Sequence, residues 1–119
     1  MVYAIAIIVI LLAAAYSILR TPKMKGIIGE RKVRREIGKT KEGIRYVLND
    51  VLFDTDNKSC QIDHIVINEN GVFVIETKNY SGRVYGTDQQ HEWTQVLKYG
   101  KVKNKFYSPV KQNQTHIYE

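Results

Sequence analysis

Cysteine and proline are scarce in this sequence, which has one cysteine and two prolines among its 119 residues. A single cysteine excludes an intramolecular disulfide framework and a cysteine-based zinc site. The sequence has no internal repeat or low-complexity tract, and no helix-turn-helix or zinc-finger pattern. The 100 residues after Leu19 can bury one core and no more, which excludes a barrel enzyme and a full dinucleotide-binding domain.

Charged side chains are absent from residues 2–19, a run of 18 residues of which 17 are apolar. As a helix this run would span about 27 Å, close to the ~30 Å hydrocarbon core of a bilayer. Tyr3 and Tyr16 lie near its ends, where aromatic side chains favour the membrane interface. Because no face of the run is polar, a buried helix of a soluble protein is disfavoured. The sequence therefore predicts a transmembrane anchor over residues 1–20.

Lysine and arginine are missing before this run and frequent after it, beginning with Arg20, Lys23 and Lys25. The positive-inside rule then predicts a single-pass protein of the cell membrane, with its soluble domain on the cytoplasmic side. A cleaved signal peptide is the alternative, because Ala13 and Ala15 resemble a cleavage site. Such peptides usually have a basic start and a shorter apolar stretch, which disfavours that alternative.

Net charge is distributed unevenly along the chain. Its formal value is +6, with +7 in residues 20–45, −5 in residues 46–97 and +4 in residues 98–119. Basic flanks around an acidic centre suit a polyanion held next to acidic groups that bind a metal, although solubility alone is another explanation. The basic cluster within residues 31–35 suits a solvated helix face, anionic lipids or nucleic acid.

Periodicity and turn residues predict an α+β domain around one sheet over residues 26–119, joined to the anchor by a short linker at residues 21–25. Ser108-Pro109 is a typical N-cap and first residue of a helix, and Asn70-Gly71 is a strong hairpin signal. The closing helix reaches Glu119, which leaves a C-terminal truncation of the domain open. In chain order the predicted elements are a helix at 23–39, strands at 46–53, 61–68, 72–78 and 82–86 with a polar turn at 54–59, a hairpin of 92–99 with 101–106, and the closing helix.

The hairpin around Asn70-Gly71 carries three charged residues of interest. With those two residues as the loop, Asp63 lies opposite Lys78, and Ile65 lies opposite Glu76. The two acids and the lysine then share one face of the sheet. One interpretation is a partly buried ion pair between Asp63 and Lys78, but it leaves Glu76 as a surplus buried charge, which is costly. A magnesium ion bound by the carboxylates would neutralise that charge, and the lysine would orient an attacking water.

Other polar residues have two interpretations each. Glu30 falls inside the apolar arc of the first predicted helix, either as a group bonded to the backbone or as a third carboxylate of the same site. Glycines near it would let this helix approach the sheet. Gln112 and His116 share a face of the closing helix, either as surface residues or as a polar edge facing the substrate phosphate or the lysine. His64 points away from Asp63, which predicts a structural role.

Two sequence blocks carry a family resemblance, Gln61-Ile62-Asp63-His64 and Glu76-Thr77-Lys78-Asn79-Tyr80. With Gly29-Glu30, Trp93 and residues 109–112, they make nearly all of the chain after residue 25 similar to the nuclease-related domain family, NERD. That family is placed in the PD-(D/E)xK nuclease superfamily, whose core is a mixed sheet flanked by helices, as in restriction endonucleases and Holliday-junction resolvases. The resemblance implies a restriction-endonuclease-like core and hydrolysis of phosphodiesters.

The resemblance also implies a role for each matched polar residue. Ile62 replaces the proline of the superfamily name, and Ser108 stands where the family often has asparagine, and neither change removes a catalytic group. The implied roles are metal ligands for Asp63, Glu76 and the carbonyl of Thr77, the catalytic lysine for Lys78, the helix-borne acid for Glu30 and the glutamine of the following helix for Gln112.

These observations together favour a membrane-anchored nuclease that uses Mg²⁺, with Mn²⁺ as a substitute, and that acts on nucleic acid, with DNA favoured over RNA. One alternative is a catalytically inactive adaptor that binds nucleic acid or the membrane surface through its basic flanks. A further alternative is a structural membrane module whose buried charges only pair with one another.

Overall fold

The computed structural model describes residues 2–55 and 58–118. The described chain is built from helices at both ends and antiparallel strands between them. In chain order the elements are α1 (Val2–Leu19), α2 (Pro22–Ile37), β1 (Arg45–Thr55), β2 (Lys58–Asn68), β3 (Gly71–Ile75), β4 (Arg83–Tyr85), β5 (Glu92–Leu97), a 3₁₀ turn (Lys98–Gly100), β6 (Val102–Tyr107) and α3 (Pro109–Tyr118).

The strands within the described ranges form two separate three-stranded sheets, ordered β1-β2-β3 and β4-β5-β6. Every strand pairing in them is antiparallel. The α+β class predicted from the sequence is confirmed, whereas the single mixed sheet is wrong for this part of the chain. Residues 76–82, which connect the sheets, are largely irregular. Hydrophobic alternation predicts extended segments, but it does not show whether successive hairpins join one sheet.

The second helix begins and ends at residues typical of helix caps. The Thr21 hydroxyl accepts a hydrogen bond from the Met24 N–H, and Pro22 occupies the first turn. Gly38, with a φ of 80°, ends the helix and donates its N–H to the Arg34 carbonyl at 3.1 Å. The helix predicted here is confirmed, and most of the predicted linker belongs to its first turn.

The hairpin of β2 and β3 has a different register from the predicted one. Asn68 pairs with Gly71, so the two loop residues are Glu69 and Asn70. The Asn70 N–H donates to the side-chain oxygen of Asn68 at 2.9 Å, a local turn that competes with the predicted Asn-Gly loop. This side-chain hydrogen bond stabilises the observed loop, in which the pairing is displaced by two residues from the predicted one.

This displacement changes which residues face one another across the hairpin. Ile65 no longer lies opposite Glu76, and β3 ends at Ile75 instead of continuing to Lys78. The prediction that Asp63 lies opposite Lys78 is therefore wrong. A displacement of two residues preserves the face that each strand side chain occupies, so the predicted alternation along the strands is unaffected.

The hairpin of β1 and β2 is longer than the sequence suggests. Arg45 pairs with Asn68, and Asp54 pairs with Ser59, so residues predicted as a polar turn extend both strands. Of that predicted turn, residues 56–57 lie outside the described residues. Because β2 pairs on both sides, it is the central strand of its sheet, and β3 is an edge strand rather than part of a central hairpin.

Each sheet has a small core of its own. On β2, Ile62, His64 and Ile65 are only 3%, 2% and 7% exposed. Beside the second sheet, the rings of Tyr80 and Phe106 lie 4.4 Å apart between centroids. Tyr80 belongs to the irregular residues 76–82, so this ring contact attaches the connecting segment to the second sheet.

The closing helix begins as predicted, at Ser108-Pro109. Ser108 is fully buried, and its hydroxyl accepts a hydrogen bond from the Lys111 N–H. The Ser108 N–H donates to the His91 carbonyl at 2.8 Å. The cap thus fixes α3 to the loop that precedes β5.

The apolar residues of the first helix lie on the surface of the described chain. Its side chains from Tyr3 to Leu19 are exposed on every face. Taken singly, none of the described helices is both long and apolar enough to cross a membrane. Taken together, α1 and α2 do meet that length and composition as a pair bent by 73°.

One glycine of α2 is required by a close contact. A Cβ atom added to Gly29 would lie 2.7 Å from the Cβ of Asn79, which is too short for real side chains. A Cβ added to Gly26 would meet no atom within 4 Å. Of the two glycines on this helix, Gly29 is therefore the one that allows α2 to approach residues 76–82.

We expect Gly29→Ala to destabilise the chain by about 1–3 kcal/mol, because α2 must move away from Asn79. Gly26→Ala is the matched control on the same helix, and it should leave stability unchanged or raise it by up to about 1 kcal/mol, since alanine favours a helix. Thermal unfolding of the two variants measures this difference. Equal melting temperatures for both would contradict the close contact.

Candidate functional site

A cleft of about 470 Å³ lies between α2, the residues that follow β3, and the second sheet. The cleft brings together residues that are up to 84 positions apart in the sequence, from Arg20 to Asn104, and five of the six residues predicted for the site line it. These five residues are Glu30, Asp63, Glu76, Thr77 and Lys78.

Two successive residues of β2 hold Thr77 in place. The Thr77 N–H donates to Asp63 Oδ2 at 2.7 Å. His64 Nε2 lies 3.1 Å from Thr77 Oγ1, and its Nδ1 lies 2.8 Å from Asn49 Oδ1. The structural role predicted for His64 is confirmed by these contacts. Together the two residues fix the backbone immediately before Lys78.

Glu76 is buried, with a side chain 6% exposed, and it lies between two basic groups. Its Oε1 accepts a hydrogen bond from Lys78 Nζ at 2.6 Å, and its Oε2 lies 3.4 Å from His116 Nε2. The second contact lacks hydrogen-bond geometry, so neither of its atoms has a hydrogen bond within the described residues. His116 Nδ1 lies 2.8 Å from Cys60 Sγ. Lys78 therefore pairs with Glu76 rather than with Asp63, and His116 is not a surface residue.

Glu30 lies on α2 and experiences the charges of the other acids. Partial burial raises the pKa of Glu30 above its ordinary value, and the charges of Asp63 and Asp50 raise it further. Glu76 adds to this increase, while His64 opposes it. The raised pKa of Glu30 therefore follows first from its partial burial and then from three neighbouring carboxylates.

Asp50 is an acidic residue of the site that sequence reasoning missed. It lies on β1 with a φ of 56°, and its carboxylate accepts a hydrogen bond from the Gln61 side chain. With Glu30 and Asp63 it lines a narrower cleft of about 160 Å³ beside the first one. The register of β1 and β2, extended from either end, places Asp50 across from Asp63. Applying that register to the sequence would have found it.

Basic side chains line the same cleft as the acids. Arg20, Lys25 and Lys78 supply three positive charges at its wall. Lys25 Nζ donates to the Ser81 hydroxyl, and the Asn79 side chain donates to the Lys25 carbonyl at 2.7 Å. The first turn of α2 is thereby fixed to the connecting residues 76–82. A cleft with acids and bases side by side suits a ligand that combines an anion with a cation.

The residues of α3 that contact the first sheet and the segment after it do not include the predicted Gln112. Gln112 lines neither acidic cleft. The Asn113 side chain donates to the Val74 carbonyl at 3.1 Å, and His116 contacts Glu76. Asn113 and His116 are three positions apart and therefore share a helix face. That spacing was available in the sequence, but the choice between neighbouring faces depends on how α3 packs.

The donor chemistry of the site fits a hard divalent cation. Carboxylate oxygens of Glu30, Asp63 and Glu76 are donors that Mg²⁺ prefers, and one or two carboxylates with waters are sufficient for this ion. Among the residues that the structure describes, no three His, Cys, Asp or Glu side chains are arranged as a ready-made cation cage. The buried Glu76 Oε2 has no hydrogen bond there.

Comparison with known proteins identifies a family and a similar protein. The profile of the nuclease-related domain, NERD, matches residues 25–119. An uncharacterised protein of Bacillus anthracis is 45% identical over 97 residues, which cover 81% of this chain and 45% of that protein. The chain thus spans less than half the length of this curated relative. No solved structure matches the chain.

Replacing Glu30 by glutamine is expected to stabilise the metal-free chain at neutral pH. Because the pKa of Glu30 is raised by folding, the folded state favours its protonated form, and ionisation of the carboxyl above that pKa costs stability. Glutamine does not ionise, so the Glu30→Gln chain does not lose this stability. Its melting temperature should exceed that of the native chain by about 1–3 °C at neutral pH and should match it at about pH 3.

Thermal unfolding in the presence of a chelator, at both pH values, measures this difference. Glu36→Gln is the control, because Glu36 is exposed on the same helix and lies beside Arg35 at 3.9 Å. This control should show no gain at neutral pH. A Glu30→Gln chain that is less stable than the native chain at neutral pH would contradict the repulsion among the acids.

Proposed function

The chain belongs to the nuclease-related domain family, part of the PD-(D/E)xK-like nuclease superfamily, and on this premise we propose that it is a metal-dependent nuclease. It hydrolyses phosphodiester bonds of nucleic acid at the cleft that contains Asp63, Glu76 and Lys78. The same family membership is consistent with binding of nucleic acid. DNA is the proposed substrate in preference to RNA.

The observation that carries this proposal is the joint placement of three acids and three bases around one cleft. A phosphodiester bears one negative charge, and an uncompensated row of carboxylates would repel it. Basic groups at the same wall attract the phosphate, while the acids leave a position for a cation. This combination suits phosphoryl chemistry better than binding of a simple anion.

The basic side chains of the cleft have two proposed roles, which are binding of the phosphate and positioning of the attacking water. Arg20 and Lys25 lie at the wall of the cleft that is formed by the start of α2, where they would hold the backbone phosphates. Lys78 Nζ is held by Glu76 Oε1 and remains 31% exposed as a side chain, so it donates to a phosphate oxygen or positions the water. The contacts of Thr77 keep this lysine in place.

The proposed cofactor is Mg²⁺, for which Mn²⁺ would substitute. Asp63 and Glu76 would hold it, with Glu30 and the carbonyl of Thr77 as further oxygen donors from the same cleft. When bound, such an ion supplies charge neutralisation at the phosphate and a more acidic water as nucleophile. Asp63 also accepts the Thr77 N–H, so it links the donor set to the backbone of the catalytic lysine.

A catalytically inactive adaptor is the second candidate, and one observation favours it. Glu76 already has Lys78 and His116 as neighbours, so its charge is compensated without a metal. Such a module would bind nucleic acid with a steep dependence on salt and would not cleave it. Cleavage and binding therefore have to be measured separately.

We also propose that α1, with α2 as its bent continuation, anchors the domain in the cell membrane and that the domain lies on the cytoplasmic side. The support is the length and composition of the pair, the apolar surface of α1 on every face and the basic residues that begin at Arg20. A bend of 73° between α1 and α2 would turn α2 towards the membrane plane if α1 crosses it. The clefts beside α2 would then lie close to the membrane surface.

Asp63→Asn and Lys78→Gln are each expected to lower the cleavage rate of a fluorescent oligonucleotide by about 100-fold or more. Asparagine keeps an acceptor for the Thr77 N–H but removes the carboxylate charge, so the fold should persist. The measurement is cleavage by the full chain, in a mild detergent, with and without Mg²⁺.

Asp88→Asn and Lys41→Gln make the same chemical changes at exposed positions outside the cleft, and their rates should equal the native rate. Cleavage that continues undiminished in both cleft variants would reject the assignment. A native chain that binds the oligonucleotide without cleaving it at any metal concentration would favour the adaptor instead.

The anchor is tested by a charge placed in α1. Leu11→Arg should release the chain from membranes during an alkaline carbonate wash, because arginine at the centre of a spanning helix costs about 2.5–3.5 kcal/mol. Leu52→Arg is the matched control, since Leu11 and Leu52 are both 62% exposed and Leu52 lies on β1. Release of the native chain by the same wash would show that α1 is not an anchor.

A further inference from the structure

We propose that a second cleft, next to the acidic one, binds an unpaired nucleobase of the substrate strand, with Tyr99 as the stacking surface. The inference rests on the proposed function, because it assumes that the chain binds nucleic acid. It goes further in naming the substrate class: a single strand, or a duplex with an unpaired stretch. Tyr99 lies in the 3₁₀ turn between β5 and β6.

The turn that carries Tyr99 has an unfavourable backbone for its own residues. Lys98 and Tyr99 have φ values of 49° and 54°, in the left-handed region where any side chain with a Cβ is disfavoured. Gly100 follows with a φ of 93°, which glycine adopts without steric cost because it has no Cβ. Asparagine and glycine are the residues that hairpin turns of this kind prefer. Stability alone therefore does not explain a lysine and a tyrosine here, and such outliers cluster at functional positions.

The same turn leaves the aromatic ring in solvent. The side chain of Tyr99 is fully exposed, and Tyr85 on β4 is 55% exposed. Both rings line one cleft of about 590 Å³, together with Arg83 and Lys98. The volume and the two aromatic walls suit a planar heterocycle. The two cations suit the phosphate attached to it.

The charged residues that line this cleft, Arg83 and Lys98, are both basic. Lysines occupy positions 98, 101, 103 and 105 of the β5–β6 hairpin, and the segment from 98 to 105 contains no acid. Glu92, across the hairpin, lies 3.7 Å from Lys105 at the far end. Basic groups interleaved with exposed aromatic rings are the pattern by which proteins hold single strands without reading sequence.

The two clefts are adjacent. Leu97 lines both of them, and Ser81 and Gly82, which are successive residues, line one each. A strand whose phosphate lies at Lys78 would therefore extend past Leu97 into the cleft that Tyr99 lines. Stacking on an aromatic side chain requires a base to leave the duplex, which is why the arrangement selects unpaired nucleic acid.

The test compares Tyr99→Gly with Tyr99→Phe in the full chain, with a chelator present so that no cleavage occurs. The readouts are the melting temperature and the affinity for a fluorescent oligothymidylate of about 12 nucleotides and for a duplex of equal length. Tyr99→Gly should weaken oligothymidylate binding by about 5- to 100-fold. Its melting temperature should stay unchanged or rise by a few degrees, since glycine tolerates the positive φ. Tyr99→Phe should bind like the native chain.

Tyr118→Ala is the matched control, because Tyr118 is 88% exposed at the end of α3, and it should not change the affinity. A native chain that binds the single strand no better than the duplex would refute the inference. The inference is also refuted if Tyr99→Gly binds the oligothymidylate as well as the native chain, or if Tyr99→Gly melts well below it, as a structural tyrosine would. If the native chain binds neither nucleic acid, the proposed function fails together with the inference.

Exposed tyrosine and lysine also suit a membrane surface, so the lipid alternative needs its own readout. Hydrogen exchange of residues 97–102 is measured for the full chain in nanodiscs that contain phosphatidylserine, before and after the oligothymidylate is added. Protection that appears only with the oligothymidylate supports the nucleobase site. Protection by the lipid alone, with no further change on adding the oligothymidylate, would place the turn at the membrane and overturn the proposal.

Discussion

The hydrogen bond from the Thr77 N–H to Asp63 Oδ2, 2.7 Å long, is the contact on which the rest of the site depends. It forms directly after β3 ends at Ile75, in the irregular segment that contains Glu76 and Lys78. The residues that follow contact α2 and the second sheet. Asn79 contacts α2, and Tyr80 stacks with the second sheet. One carboxylate thereby joins both sheets and the first helix of the domain, α2, around a common cleft.

This arrangement places three acids and three bases around one cleft. Glu76 is compensated by Lys78, but Glu30 keeps a raised pKa because burial and the neighbouring acids disfavour its ionised form. A cation would relieve that repulsion, and the basic residues at the same wall would draw in a phosphate. The proposed nuclease activity follows from this balance more than from any single residue. The adjoining cleft at Tyr99 extends the proposed binding site from one phosphate to the neighbouring base.

The helices and the residue content of the site follow from local chemistry, and for that reason they could be predicted. Thr21-Pro22 and Ser108-Pro109 are caps that act within one turn. Asp63, Glu76 and Lys78 lie in the two sequence blocks on which the family resemblance rests. The register of the β2–β3 hairpin and the two-sheet division could not be predicted, because they depend on the Asn68 side chain and on the contact between Thr77 and Asp63. Tyr99 was missed because its backbone conformation leaves no signature in the sequence.

The central claim is that the carboxylates of the cleft bind a divalent cation, and paramagnetic broadening by Mn²⁺ tests it most directly. The amide signals of the full chain are recorded while Mn²⁺ is added in small amounts. We predict that the signals of Asp63 and Thr77 disappear first, while those of Glu69 and Asn70 at the hairpin loop persist. Loss of the loop signals first, or uniform broadening without any effect at Asp63 and Thr77, would contradict this claim.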